Sequence, residues 1–89
     1  MSDLETKFKE IRKKHNLVLP CVKREIVSTV SFTFKEGDSK RHTYMYFKSS
    51  TRWEYFGGNE TLEAKAVMDD LTKAGIITED GKVNFEHHI

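Results

Sequence analysis

The chain has 89 residues, of which 33% are charged and 37% hydrophobic, with a formal net charge of +1. That length suits one domain with a small, aromatic-weighted core. No apolar run approaches the ~18 residues of a membrane span, and the first residues, MSDLETKFKEIRKK, show no apolar signal region, so no membrane association and a cytoplasmic setting are expected.

Charge is unevenly distributed. Residues 1–52 carry twelve Lys/Arg against six Asp/Glu, whereas residues 53–89 carry three Lys against eight Asp/Glu. The two halves either segregate in space and give the molecule a polar charge distribution, or face each other and cancel. The single cysteine, Cys21, has no internal disulfide partner and is expected to be a small buried hydrophobe.

In chain order, Ser2-Asp3-Leu4-Glu5 has the form of a capping box. Leu4, Phe8 and Ile11 then recur at helical spacing, and the helix should stop near His15-Asn16. Leu17 to Pro20 is expected to be extended. Arg24 to Lys35 reads as one long strand, with Ile26, Val30, Phe32 and Phe34 on one face and Ser28 breaking the apolar side. A turn at Glu36-Gly37-Asp38-Ser39 leads to a strand over His42–Phe47, and a turn at Lys48-Ser49-Ser50 to a strand over Thr51–Phe56. Such short linkers require an antiparallel meander. After Gly57-Gly58, Asn59 is the expected cap of a helix with an apolar stripe of Leu62, Ala66, Val67, Leu71 and Ala74. Gly75 suits the position just past its end, and Ile76–Phe85 suits a small hairpin about Asp80-Gly81. The predicted fold is one α+β domain over residues 1–89, of α-β-β-β-α order. Its antiparallel sheet has three or four strands and its helices lie mainly on one face, with a C-terminal hairpin or strand.

Residues Lys40–Phe56 pack six aromatic rings and four cations into one stretch. Pairing Lys35 with Lys40 would bury Met45 and Phe47 and put Tyr44 and Tyr46 on the outer face; a slip of one residue reverses this. On the next strand, Glu54 marks its own face as wet, so Trp53 and Tyr55 should point inward. Phe56 joins the outer face.

Little in the chain marks chemistry. His15, His42, His87 and His88 have no metal-ligand spacing, and no metal or other cofactor is expected. Asp69-Asp70 suit a solvated helix face. No nucleophile elbow, P-loop or dinucleotide motif is present, and the chain is expected not to be an enzyme. Gly57-Gly58 precede a helix, but Glu60 and Glu63 would repel phosphate there.

The α-β-β-β-α order over residues 3–74 resembles that of double-stranded-RNA-binding domains, with Gly58, Ala64 and Lys65 at corresponding places in the stretch Gly57–Lys65. Glu60 and Glu63 stand where that family carries cations, so the resemblance implies topology more than RNA binding. Leu71–Ile77 followed by Glu79–Lys82 resembles the helix-to-wing passage of winged-helix domains, without their preceding helices.

The sequence thus points to a small inhibitor or adaptor, of the kind phages encode, that engages a protein partner through an aromatic and basic sheet surface. Tyr44, Tyr46, Lys48 and Arg52 are the candidate contacts. The alternative is a nucleic-acid binder using Lys13, Lys14, Lys35, Lys40 and Arg41 on the first helix and hairpin turns. A homodimer through the sheet is a further option.

Overall fold

The computed structural model describes residues 3–38 and 40–84. The assignments made to Ser2, Ser39, Phe85, His87 and His88 lie outside those residues. The elements run α1 (Asp3–His15), β1 (Leu17–Ile26), β2 (Thr29–Glu36), β3 (Lys40–Phe47), β4 (Arg52–Phe56) and α2 (Leu62–Lys73). The strands form one antiparallel meander in the order β1-β2-β3-β4. Both helices pack on one face of it, their Phe8, Ile11, Val67 and Leu71 meeting Phe32, Phe34 and Tyr44 of the sheet. The four strands depart from the three of double-stranded-RNA-binding domains.

The expected long strand over Arg24–Lys35 is two strands. The chain reverses at Val27-Ser28, where Ile26 pairs with Thr29. Neither loop residue takes a positive φ. The turn is therefore not the type I′ or II′ form that Gly or Asn would announce. It is held instead by the residue just past β3: the Lys48 amide donates to Ser28 O at 3.3 Å and Lys48 Nζ to Val27 O at 3.3 Å. Val27, at the tip, is 92% exposed. Leu17–Pro20, expected to be extended, opens β1. The β1–β2 register shifts between Val18 and Val22, and Cys21 within that irregularity is fully buried.

Burial pushes the Cys21 thiol up to about 11, with the Arg12 guanidinium pulling the other way. A thiol so placed is almost wholly protonated near neutrality. Ellman's reagent at pH 8 should therefore modify the native protein roughly 100-fold more slowly than the urea-unfolded chain. Equal rates would put Cys21 at the surface.

The expected inward face of β3 is reversed. Glu36 pairs with Lys40 and Lys35 with Arg41, one residue away from the expected register. The loop after Glu36 has three residues where four were expected, and strand alternation turns that single step into a change of face. Tyr44 and Tyr46, expected on the outer face, are buried at 3% and 4% exposure, while Phe47, expected in the core, is 37% exposed. Trp53 and Tyr55 point inward and pack against the core as expected, and Glu54 is exposed.

The second helix starts two residues later than the Asn59 cap predicts. Thr61 caps it, its hydroxyl accepting from the Ala64 amide at 3.0 Å. The buried stripe is accordingly Ala64, Val67, Met68 and Leu71; Leu62, expected in the stripe, is 85% exposed. The helix ends as predicted. Gly75 lies at φ +80°, its amide donates to Thr72 O at 3.0 Å, and the Ile76 amide donates to Leu71 O at 2.9 Å. Those are the two bonds of a Schellman motif, and Ile76 is buried behind it. An antiparallel bridge, Ile77 to Val83, then closes the short terminal hairpin.

Candidate interaction surface

The two faces of the sheet do different work. On the inner face, buried polar groups are paired. His42 has Nδ1 3.0 Å from Tyr55 Oη and Nε2 3.3 Å from Glu36 Oε1. Tyr44 donates its hydroxyl to Glu60, and burial together with that carboxylate pushes the phenol far above its ordinary range. The Trp53 indole donates to Thr78 O at 2.8 Å, tying β4 to the terminal hairpin.

The two helices are joined through His15. This residue lies on the Leu4–Phe8–Ile11 stripe, one turn past Ile11, and is 6% exposed. Its Nδ1 is 2.5 Å from Glu63 Oε2 and its Nε2 is 2.7 Å from Asp70 Oδ2. Lys14 Nζ adds a bond to Asp70 Oδ2 at 3.0 Å. By sequence His15 is a helix-end residue without metal-ligand spacing and Asp70 part of a solvated helix face; the one sign of their pairing is a histidine in register with an apolar stripe.

The Asp70 carboxyl is held below the usual carboxylate range, first by the hydrogen bond from His15 and then by that from Lys14. A carboxyl lowered on folding contributes stability that is present above its unfolded value of about 3.9 and is lost as pH falls through its folded value. The thermal midpoint should therefore drop below about pH 4, and Asp70→Asn should reduce that acid dependence while lowering stability at pH 7. An acid limb unchanged in the variant would show that other carboxyls set it.

Among the described residues no helix packs on the outer face. Its rows across the strands follow from the register: Ile26, Thr29, Phe47 and Arg52; Arg24, Ser31, Met45 and Glu54; Val22, Thr33, Thr43 and Phe56; then Lys35 and Arg41. Four large apolar side chains are exposed here, Val22 at 38%, Ile26 at 60%, Phe47 at 37% and Phe56 at 62%. Among the described residues, four cations stand among them against one carboxylate, Glu54, which Arg52 approaches at 3.8 Å. At one end, Val22, Arg24, Ser31, Thr33, Lys35 and Arg41 line an open concavity of about 460 Å³.

The predicted contact residues divide between the faces. Tyr44 and Tyr46 lie inward, beneath the helices and the terminal hairpin, so the expectation that they form an exposed patch is corrected. Lys48 and Arg52 are exposed at the β3–β4 end. Of the proposed nucleic-acid contacts, Lys35 and Arg41 share the outer face. Lys14 is paired with Asp70 on the helical side, and Lys13 is exposed beside it. Lys40 lines a different concavity, with Lys14 and the carboxylates Glu36, Asp38 and Glu63. Those five cations therefore do not form one surface. The acidic half of the chain meets the end of α1 through Glu63 and Asp70, while Arg24, Lys35, Arg41 and Arg52 lie on the outer face.

Sequence reasoning missed Val22, Arg24 and Ile26 as outer-face neighbours, because the Val27-Ser28 reversal that puts them there has no turn signature, and it missed Met45 because the loop after Glu36 is one residue shorter than expected. Among the described residues no cluster of three or more His, Cys, Asp or Glu could hold a metal ion, and no helix is long and apolar enough to cross a membrane. Comparison with protein-family models, curated proteins and solved structures finds no match.

Proposed function

We propose that this domain is a non-catalytic binding module, an adaptor or inhibitor, whose outer sheet face receives an acidic, apolar-bearing segment of a protein partner. The observation that carries the reading is the helix-free face itself, with Val22, Ile26, Phe47 and Phe56 exposed among Arg24, Lys35, Arg41 and Arg52. Phe, Met and Arg are residue types enriched at protein interfaces. Charge complementarity selects an acidic occupant. Two copies of the chain apposed through this face would set the same four cations against themselves, which favours a different protein over a homodimer. The sheet edges support the same view: β4 is short and β1 carries Pro20 and a register shift, features that blunt edge pairing.

Selection from a random peptide library against the protein tests this. The expected binders combine Asp or Glu with bulky apolar residues, and Phe47→Ser/Phe56→Ser should weaken them at least tenfold while leaving the thermal midpoint nearly unchanged. Binders indifferent to that double substitution would overturn the reading. A nucleic-acid reading keeps one observation in its favour, the exposed Phe47 and Phe56 rings beside arginines, which suit base stacking. Saturable oligonucleotide binding with a steep salt dependence that Arg41→Ala flattens would favour it instead.

A further inference from the structure

The concavity at the Lys35 end of the outer face has the chemistry of an anion site. Lys35 and Arg41 are directly opposed across β2 and β3. Like charges in that position are destabilising in a sheet. Among the described residues neither forms an ion pair, and nor does Arg24, the third cation of the concavity. Arg24 pairs with Ser31, four residues along β2 from Lys35, or about 13 Å of strand. Ser31 and Thr33 floor the space between these cations, the Thr33 hydroxyl lying 3.0 Å from that of Thr43. Long side chains from both ends can therefore converge over a hydroxyl-bearing floor.

We infer that this concavity takes a phosphate monoester, presented as a phosphorylated side chain of the protein partner. The inference rests on the outer face being the docking surface and names the group its basic end recognises. Three unpaired cations are better matched by a dianion than by a carboxylate or a phosphodiester, each of which carries one charge. A monoester also offers three acceptor oxygens to the two guanidinium forks and the ammonium. Three of the four outer-face cations line this one concavity, and Glu54 on the neighbouring strand would oppose a continuing phosphodiester chain. A single phosphorylated residue, followed by apolar residues that lie toward Phe47 and Phe56, fits that layout.

Titration of the ¹⁵N-labelled protein with inorganic phosphate and with O-phosphoserine at pH 7.5, at constant ionic strength, tests the site. Both probes should give saturable amide shifts centred on Val22, Ser31 and Thr33, whereas dimethyl phosphate and chloride should not. Lys35→Gln/Arg41→Gln should weaken phosphoserine at least tenfold with the rest of the spectrum unchanged, and Phe47→Ser/Phe56→Ser should leave it bound. Equal shifts with chloride, or phosphoserine binding that survives the Lys35/Arg41 change, would overturn the inference. So would an oligonucleotide that occupies the same residues more tightly than phosphoserine. If selected peptides still require Phe47 and Phe56 while phosphoserine fails to bind, the phosphate site falls and the docking face stands.

Discussion

Tyr44→Ala is expected to destabilise the domain by about 3–5 kcal/mol, the range for emptying a large aromatic from a packed core. Tyr44 is the centre of the inner aromatic layer. Its ring stacks near Phe34 with centroids 6.2 Å apart and meets Tyr55 edge-on at 5.2 Å. Neither neighbour can close the space, because Phe34 is fixed on β2 between β1 and β3 and Tyr55 is held on β4 by its pairing with β3. A domain of this length has a total stability of roughly 5–13 kcal/mol. The substitution therefore removes a large share of it, and the thermal midpoint should fall by roughly 15 °C or more. Tyr44→Phe separates the ring from the hydroxyl. It loses only the bond to Glu60, whose exposed carboxylate turns to water, and should cost about 1 kcal/mol. Had the strand lain one residue out of this register, Tyr44 would face solvent and both changes would fall within about 1 kcal/mol. Urea denaturation of the two variants distinguishes the cases.

Gly81→Ala should be nearly as damaging, for a different reason. Gly81 lies at φ +87°, where an L residue is strained, and an added Cβ would stand 2.6 Å from Tyr46 Cε1 and 2.8 Å from Cγ. The hairpin backbone rests on the face of a buried ring. That ring also packs against Trp53, 5.5 Å away between centroids, and Trp53 is itself bonded to Thr78 of the same hairpin. The ring has little room to retreat, so the expected cost is about 2–4 kcal/mol from overlap and backbone strain together. A double-mutant cycle makes the origin visible. Trimming the ring removes the overlap, so Gly81→Ala should cost much less in a Tyr46→Ala background, leaving only the φ penalty. Additive costs would mean that the hairpin does not lie on Tyr46.

Much of this architecture could be read before folding. The Leu4, Phe8 and Ile11 stripe, the glycine that ends the second helix and the antiparallel meander all follow from local rules. Glu54 was enough to turn Trp53 and Tyr55 inward, because a carboxylate is costly to bury and strand alternation does the rest. What escaped has physical causes. The Val27-Ser28 reversal uses no glycine, asparagine or positive φ, and its support comes from Lys48, twenty residues away. The face of Tyr44 and Tyr46 depended on whether three or four residues close the Gly37 turn, a difference too small for composition to carry. His15 reads as a polar residue at a helix end until α2 brings two carboxylates to it. The candidate surface was legible in kind, aromatic and basic on a sheet, but its members changed: Met45 and Phe47 stand where Tyr44 and Tyr46 were expected, Phe56 keeps its expected place, and Arg24 joins the cations.

The central claim is that the outer sheet face is where this domain meets its partner. Amide shift mapping with a selected acidic peptide tests it most directly. The expected footprint covers Val22, Arg24, Ser31, Thr33, Met45, Phe47 and Phe56 and leaves α1 and α2 unshifted. A footprint centred on the helices, or on the concavity around His15 and Lys40, would contradict it.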